Sequence, residues 1–150
     1  MEKSFRYRAQ AHWTTHKRGI LEAPEIPRTV NFAAPPEFGG EPGLWTPEHL
    51  LLGAVSTCYV ATFRAIAEHS RLPISKLEVQ IEGVVAKEEG RLRFTEILLR
   101  PVITIEREED SERAQRVAEK AERSCLIASS LSTKITMQIK LEVGEAVAAG

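Results

Sequence analysis

The sequence predicts an α+β fold, in which antiparallel strands are interrupted by two helices. Three observations predict it. Residues 4–13 alternate between apolar and polar side chains, a long stretch with little charge follows Thr46, and two alternating stretches meet at Glu89-Gly90. Alternation with period two indicates half-buried strands, and runs of strands interrupted by helices are typical of α+β proteins.

The composition is that of an ordinary globular chain. With 150 residues, a single domain over residues 1–150 is the default expectation. Lys plus Arg (20) and Asp plus Glu (21) nearly cancel, so neither a nucleic-acid surface nor a polyanionic partner is indicated. We find neither the apolar region of a signal peptide nor a segment of roughly 20 apolar residues that could span a membrane, so we expect a cytoplasmic protein.

The first third of the chain predicts a strand meander. Residues 4–13 place five apolar side chains on one face: Phe5, Tyr7, Ala9, Ala11 and Trp13. A polar turn over 15–19 precedes two short strands near 19–23 and 28–33. The following residues, 34–45, hold three prolines and three glycines, which is typical of a loop. Long loops of this kind often serve as a lid or a wall of a site.

A central helix is predicted to begin at Thr46. Thr46 suits the N-cap, Pro47 the first helical position, and Glu48 the positive end of the helix dipole. We expect the helix to end near Ser70, before Pro73. From Leu50 to Phe63 it carries no charged residue. A helix that is apolar all round must be covered on every face, and one sheet cannot do that.

The second half predicts a long antiparallel hairpin over 76–107 that turns at Glu89-Gly90, then a second helix, then a strand over 134–143. The helix should begin near Asp110 or Ser111 and carry Cys125 in its last turns. Four small or branched residues are expected on its inner face: Ala114, Val117, Ala118 and Ala121.

Two cysteines, Cys58 and Cys125, are the notable chemistry in the sequence. In a reducing compartment they are not expected to form a standing disulfide. Two interpretations remain open: inert buried thiols, or a redox pair. The residues that share the helix face of Cys58 are mostly small, which suits either close helix packing or space for a substrate. They are Leu51, Ala54, Val55, Ala61, Thr62 and Ala65.

Charged groups that could serve Cys58 lie elsewhere in the sequence. Glu48 precedes Cys58 by ten residues, which is about 15 Å along a helix and about 80° around it, so the two side chains of one helix cannot touch. Glu48 either acts from a second copy of the chain or simply stabilises the helix dipole. The basic residues that could depress the thiol pKa are Lys17, Arg18 and Arg28, since Arg64 should face away from Cys58. Neither the four histidines nor the cysteines show the spacing of a zinc site, so we expect no metal.

Two segments resemble the OsmC/Ohr family of thiol peroxidases. Residues 46–60, TPEHLLLGAVSTCYV, resemble the segment that carries the family's first cysteine, and residues 118–143 resemble its second-cysteine segment and last strand. The resemblance depends on three joint features. Pro47-Glu48 opens the central helix, Cys58 follows ten residues later, and Cys125 lies on the next helix.

The resemblance implies a tightly intertwined homodimer with two sites at the subunit interface. It implies that Cys58 attacks an organic hydroperoxide and that Cys125 resolves the resulting sulfenic acid. A dithiol or a lipoylated protein would then reduce the disulfide, with no cofactor. Glu48 would orient an arginine, for which Arg18 is our choice and Lys17 the rival. The family's alternative arginine, in the loop before the helix, is missing from residues 34–45.

Smaller departures from the family pattern leave other functions open. Leu44 and Trp45 add bulk near the expected pocket mouth, and Leu126 follows Cys125 where a proline is frequent in the family. The chain could instead be a non-enzymatic protein of the same fold that binds an apolar ligand or partner. Alternatively, both cysteines could be core packing in an unrelated α+β domain.

Overall fold

A mixed α+β architecture is seen in the computed structural model, which describes residues 2–144. The chain divides into two units, a first unit up to Leu51 and a second unit from Leu52. The predicted fold class is confirmed.

The first unit is a three-stranded antiparallel meander. Its strands are β1 (Gln10–Thr15), β2 (Arg18–Ala23) and β3 (Ile26–Ala33), in the order β1-β2-β3. The prediction of a meander is therefore confirmed, but the first strand begins at Gln10 and not at residue 4. Phe5 and Tyr7 are 78% and 89% exposed. Alternation alone predicted strand there, yet a strand forms only where a neighbour accepts its hydrogen bonds, and β2 pairs from Gln10 onward.

The loop over 34–45 is tied back to this meander. It contains a single turn of 3-10 helix, Pro36–Phe38, and Gly39 ends that turn with a positive φ of 86°. The backbone N–H of Ala33 donates to the Trp45 carbonyl at 2.9 Å, and that of Ala34 donates to the Lys17 carbonyl at 2.9 Å. The loop is therefore ordered and held beside the β1–β2 turn.

Helix α1 runs from Pro47 to His69, as the capping residues predict. The Thr46 hydroxyl oxygen accepts a hydrogen bond from the backbone N–H of His49 at 3.1 Å, which is the N-cap geometry. Its buried residues form one stripe at a spacing of four: Val55, Tyr59, Phe63 and Ala67. The other faces of α1 are partly or fully exposed in the single chain. That every face of this helix is covered by other parts of the protein therefore stays a prediction.

The apolar length of α1 corrects one expectation from the sequence. By length and composition alone, Pro47–His69 could cross a membrane, although we expected that no segment would approach that length. The core helix of a soluble protein passes the same test, so this property by itself is weak support for a membrane span.

The second unit is built on a long hairpin. Strands β4 (Ile74–Glu88) and β5 (Arg91–Ile105) pair antiparallel, and the predicted turn residues both have positive φ, 52° at Glu89 and 80° at Gly90, as tight hairpins require. Helix α2 (Ser111–Ser124) packs on β5 and buries its four predicted inner residues. The core of this unit lies between the sheet, α2 and the buried stripe of α1.

The strand predicted over 134–143 is two strands. β6 (Ile135–Met137) and β7 (Lys140–Val143) both pair with β5, and both pairings are parallel. Between them, the Gln138 N–H still donates to the Leu99 carbonyl at 2.9 Å, so the chain keeps its alignment with β5 through the break. The sheet of the second unit is therefore mixed rather than purely antiparallel.

Candidate thiol site

Cys58 lies in the middle of α1 and is partly exposed in the single chain. Its Sγ is 3.9 Å from the Oγ1 of Thr62, one helical turn further on. Thr62 is one of the small residues that the sequence places on the Cys58 face. The hydroxyl is therefore a hydrogen-bond donor within reach of the sulfur.

The sequence predicted Cys125 in the last turns of the second helix, and this was wrong. Cys125 follows directly after that helix. Helix α2 ends at Ser124, Cys125 is extended (φ −69°, ψ 112°), and a short helix, α3 (Leu126–Ser129), begins at the next residue. The extended residue breaks the helix and buries its own side chain, which is 2% exposed. Its Sγ is 4.0 Å from the carbonyl oxygen of Val55 on α1.

The structure brings the two cysteines together within the second unit. Besides burial, the backbone N–H groups of Ile127 and Leu126 and the Cys125 thiol influence the pKa of the Cys58 thiol as hydrogen-bond donors. Burial acts to raise the pKa of the Cys58 thiol, but these donors and the Thr62 hydroxyl outweigh it, Ile127 most strongly. The pKa of Cys58 is therefore lowered from its ordinary value of 9.0, because hydrogen bonds to a charged form favour that form.

Cys125 shifts in the opposite direction. Burial raises the pKa of its thiol, and the neighbouring Cys58 adds to this by accepting its proton in a hydrogen bond and by its negative charge. The N–H groups of Ala128 and Ile127 oppose the change without reversing it. The pKa of one thiol of the pair is thus lowered, while the pKa of the other is raised.

This inequality has a chemical meaning. A thiolate, not a thiol, is the nucleophile, and an adjacent thiol can trap an oxidised sulfur as a disulfide before further oxidation. The arrangement can therefore support attack by Cys58 followed by condensation with Cys125.

Tyr59 is a residue that the sequence reasoning missed. Its hydroxyl donates to the carbonyl oxygen of Ala118 on α2 at 3.0 Å, and its side chain is fully buried. Burial, with smaller effects from Glu122 and Cys125, raises the pKa of Tyr59. Its spacing of four residues from Val55 and from Phe63 could have placed it on the buried face of α1. A buried tyrosine usually has a hydrogen-bond partner for its hydroxyl, so a contact to a neighbouring element could then have been expected.

The other predicted site residues, Glu48 and Arg18, belong to the first unit. Glu48 is in the first turn of α1, and its Oε1 is buried without a hydrogen-bond partner among residues 2–144. Arg18 begins β2, and its Nη1 is 3.1 Å from Glu41 Oε2. Within this unit, the structure therefore pairs Arg18 with a loop carboxylate and not with Glu48.

The rival basic residues are also occupied or exposed. Lys17 donates from Nζ to the Phe38 carbonyl at 2.6 Å, which holds the 3-10 turn. Arg28 lies on β3 and is exposed. The choice of Arg18 as the basic residue that acts on the Cys58 thiol stays a prediction.

Trp45 borders a small surface cavity in the first unit. The cavity is about 250 Å³ and is lined by Gly43, Leu44, Trp45 and His49. The Trp45 ring is 56% exposed and stands edge-on to the His49 ring, with ring centres 6.3 Å apart. Trp45 is therefore a surface residue here and not part of the core.

Metal-ligating side chains do not cluster in the described part of the chain. Residues 2–144 contain no group of three or more His, Cys, Asp or Glu side chains placed to hold an ion.

Taken together, the long α1 helix, the hairpin sheet and the thiol pair define a two-cysteine α+β protein. The chain belongs to the OsmC-like protein family, whose sequence model matches residues 40–140. The family resemblance stated from the sequence is confirmed.

A relative and two solved structures have nearly the same length as this chain. The uncharacterized protein YmaD of Bacillus subtilis (strain 168) is 29% identical over 140 residues, which cover 89% of this chain and 91% of that protein. An OsmC-like protein of unknown function from Vibrio cholerae matches with a TM-score of 0.81 and 19% identity, over 91% of this chain and 99% of the other. The organic hydroperoxide resistance protein OsmC of Legionella pneumophila matches with a TM-score of 0.74 and 20% identity, over 95% and 100%. These structural similarities show the fold.

Proposed function

We propose that this protein is a peroxidase that reduces organic hydroperoxides through Cys58 and Cys125 and is restored by a dithiol. The observation that carries the proposal is the inequality of the two thiols. Donors lower the pKa of Cys58 against the effect of its burial, whereas burial and the neighbouring Cys58 raise the pKa of Cys125. Membership of the OsmC-like family, which includes a structure named for organic hydroperoxide resistance, supports the same reaction.

The first step is a two-electron oxidation of Cys58. Its thiolate attacks one peroxide oxygen, an S–O bond forms, and the O–O bond breaks. The departing alkoxide takes a proton and leaves as the alcohol, so the peroxide is reduced and Cys58 becomes a sulfenic acid. The electrons come from the sulfur, and no cofactor takes part.

The second step uses Cys125. Its thiol condenses with the sulfenic acid, an S–S bond forms, and water leaves with the sulfenic oxygen. An external dithiol, free or carried on a lipoylated protein, then exchanges with this disulfide and is itself oxidised. The net reaction converts one hydroperoxide and one dithiol into an alcohol, water and one disulfide.

Glu48 and Arg18 complete the proposed site. An arginine fork can donate both to a carboxylate and to a peroxide oxygen, so Arg18, oriented by Glu48, would polarise the O–O bond. Because Glu48 cannot reach Cys58 along one helix, we propose that both act from a second copy in a homodimer. The partly exposed faces of α1 support such a partner. The family match runs over residues 40–140 and so continues from the end of the first unit into the second, which supports one functional domain over residues 1–150.

Peroxide turnover tests this function directly. Purified protein with cumene hydroperoxide and dihydrolipoamide should consume peroxide, and Cys58→Ser should abolish consumption. Cys125→Ser is the matched control, because it should oxidise Cys58 once and then stop with a sulfenic acid that dimedone can label. Equal turnover by wild type and Cys58→Ser contradicts the proposal.

A second candidate is a binding protein for an apolar ligand, favoured by the exposed Trp45 beside a cavity of about 250 Å³. Such a protein should quench Trp45 fluorescence on binding a hydrophobic probe, with no peroxide consumed. Trp45→Ala should abolish that binding, while leaving the thiol reactions of the first candidate unchanged. A cytoplasmic, reducing location suits both candidates and is part of the proposal.

A further inference from the structure

The two thiols of the second unit differ in how far solvent reaches them. Cys58 is partly exposed, whereas Cys125 is 2% exposed and belongs to the core. We propose that the dithiol that reduces the Cys58–Cys125 disulfide attacks the sulfur of Cys58, so that the mixed disulfide forms on Cys58 and Cys125 is released first. The inference rests on the proposed function, since it concerns the step that restores the same pair.

Cys58 stands at the border between the buried and the exposed side of α1. On one side of it, about 60° and 100° around the helix, lie Val55 and Tyr59, both of which are fully buried. On the other side, at about the same angles, lie Ala61 and Thr57, both of which are exposed. The sulfur of Cys58 can therefore be approached from one side only.

Cys125 lies on the buried side of this border. Its Sγ is 4.0 Å from the carbonyl oxygen of Val55, and it follows directly after α2. Helix α2 packs on the same side, since the Tyr59 hydroxyl donates to the carbonyl oxygen of Ala118 at 3.0 Å. A disulfide to Cys125 therefore points from Cys58 toward the core.

This direction decides which sulfur a thiolate can attack. In thiol–disulfide exchange an attacking sulfur displaces a leaving sulfur, and the three sulfur atoms lie nearly in line. Attack on Cys58 comes from the side opposite Cys125, which is the exposed side, where the small side chain of Ala61 leaves room. Attack on Cys125 would have to come from within the core. In a homodimer the opening that admits a peroxide to Cys58 also admits the dithiol.

Leaving-group strength favours the opposite choice. A thiol of lower pKa leaves faster, and the pKa of Cys58 is lowered whereas that of Cys125 is raised, mainly by burial. Attack on Cys125 would therefore expel the better leaving group. It would also bring a charged thiolate into an apolar core, where an unpaired charge is strongly unfavourable. Access to the sulfur thus outweighs leaving-group strength.

The exchange runs in two balanced steps. A thiolate of the dithiol forms an S–S bond to Cys58, the Cys58–Cys125 bond breaks, and Cys125 leaves and takes up a proton, as its raised pKa favours. The second thiol of the reductant then loses its proton and attacks the reductant's own sulfur. A cyclic disulfide is released, and Cys58 leaves with the electron pair. A monothiol cannot carry out this second step within one molecule, so it can be used to trap the mixed disulfide.

Glutathione trapping locates the attacked sulfur. Wild-type protein is oxidised with diamide, freed of excess reagent and mixed with glutathione. Samples are quenched with acid at increasing times and alkylated with N-ethylmaleimide under denaturing conditions. Trypsin then separates Cys58, on residues 29–64, from Cys125, on residues 124–134.

In the earliest samples we expect glutathione on the Cys58 peptide and N-ethylmaleimide on the Cys125 peptide. This arrangement should exceed the reverse one at least about tenfold, because access determines which sulfur is attacked. Glutathione mainly on the Cys125 peptide, or in equal amounts on both peptides, overturns the inference.

Position 61 tests the route of approach. Ala61→Leu adds bulk on the exposed side of Cys58 and should slow reduction of the disulfide by dihydrolipoamide roughly threefold or more. Ala61→Ser is the matched control, since it changes the size of the side chain little and should be reduced like wild type. Reduction of a folded Ala61→Leu protein at the wild-type rate overturns the route, and trapping on the wild type decides if this variant does not fold.

Diamide closes the disulfide without peroxide, so the two proposals can fail separately. Trapping at Cys58 in a protein that consumes no hydroperoxide overturns the proposed function and leaves this inference standing. Trapping at Cys125 in a protein that consumes hydroperoxide does the reverse. If diamide closes no disulfide between Cys58 and Cys125, both are overturned.

Discussion

The Sγ of Cys125 lies 4.0 Å from the carbonyl oxygen of Val55, which is three residues before Cys58 on α1. The buried thiol is therefore packed over the helical turn that carries the partly exposed one. A substitution at Cys125 should therefore change the pKa of Cys58, which can be measured.

Replacing Cys125 by alanine should raise the pKa of Cys58. Alanine removes the thiol that donates to the Cys58 sulfur, so the thiolate loses a hydrogen bond that favours it. Cys125→Ser keeps an O–H donor at the same place and should leave the pKa of Cys58 close to that of the wild type. Thiolate absorbance near 240 nm, followed against pH, measures both. Identical titrations for the alanine and serine variants would contradict the donor role.

The two thiols should also give stability opposite pH dependences. The folded pKa of Cys58 is lowered from 9.0, so between that lowered pKa and 9.0 the unfolded chain binds one proton more than the folded chain. The free energy of unfolding should therefore rise with pH in that window. The contribution of Cys58 is lost when the pH is lowered through its folded pKa. Cys125 has a raised pKa. Its contribution should be complete below 9.0 and be lost above it, as pH rises toward its folded pKa.

Urea unfolding of the wild type and the two single serine variants, from pH 6 to pH 10 under reducing conditions, separates these effects. The difference between wild type and Cys58→Ser should grow with pH up to about 9 and then level off, as expected for a thiol with an ordinary unfolded pKa near that value. The difference between wild type and Cys125→Ser should shrink above about 9, by the same argument. If neither of these two differences changed with pH, neither pKa shift would exist.

Much of the fold could be predicted because its signals are local. Thr46 and Pro47 specify the start of α1 through a side-chain cap and a fixed φ, and Glu89-Gly90 specifies the hairpin through two positive φ values. The inner face of α2 follows from helical period alone, from Ala114 to Ala121. In each case, the nearest few residues determine the backbone.

The errors arose where tertiary contacts decide. Nothing in the residues around Cys125 marks a helix break, since neither glycine nor proline is present there, and the break depends on packing of the thiol against α1. Residues 4–9 alternate like a strand but have no paired neighbour within the described chain. The pairing of Arg18 with Glu41 was also not predictable, because it depends on how the loop over 34–45 folds back.

Removing the Tyr59 hydroxyl should destabilise the second unit. Tyr59→Phe loses the 3.0 Å hydrogen bond to Ala118 while keeping the buried ring, at a cost of about 0.5–1.5 kcal/mol. Tyr7→Phe makes the same chemical change at a side chain that is 89% exposed, and should alter stability by less than about 0.5 kcal/mol. Chemical denaturation of both variants gives the comparison. A Tyr59→Phe protein as stable as Tyr7→Phe would show that the bond contributes nothing.

A buried carboxylate should matter more than an exposed one that shares its arginine. Asp110 is buried at the start of α2 and accepts from Arg107 Nε at 3.3 Å, with Arg113 Nη2 at 3.8 Å. Arg113 also donates to the Arg71 carbonyl at 2.9 Å, so Asp110 helps to hold the segment after α1 against α2. Asp110→Asn removes the charge from this buried group and should cost about 1–3 kcal/mol.

Glu109 provides the control for this prediction, since its Oε1 is 3.1 Å from Nη1 of the same Arg107 but both side chains are largely exposed. Exposed ion pairs contribute little, so Glu109→Gln should change the free energy of unfolding by no more than about 0.5 kcal/mol. Urea denaturation near neutral pH measures both variants. Raising the salt concentration should weaken the Glu109 pair further, because exposed charges are screened, and should affect the Asp110 contribution much less. Equal losses for the two variants would mean that burial of Asp110 adds nothing to its interaction with Arg107.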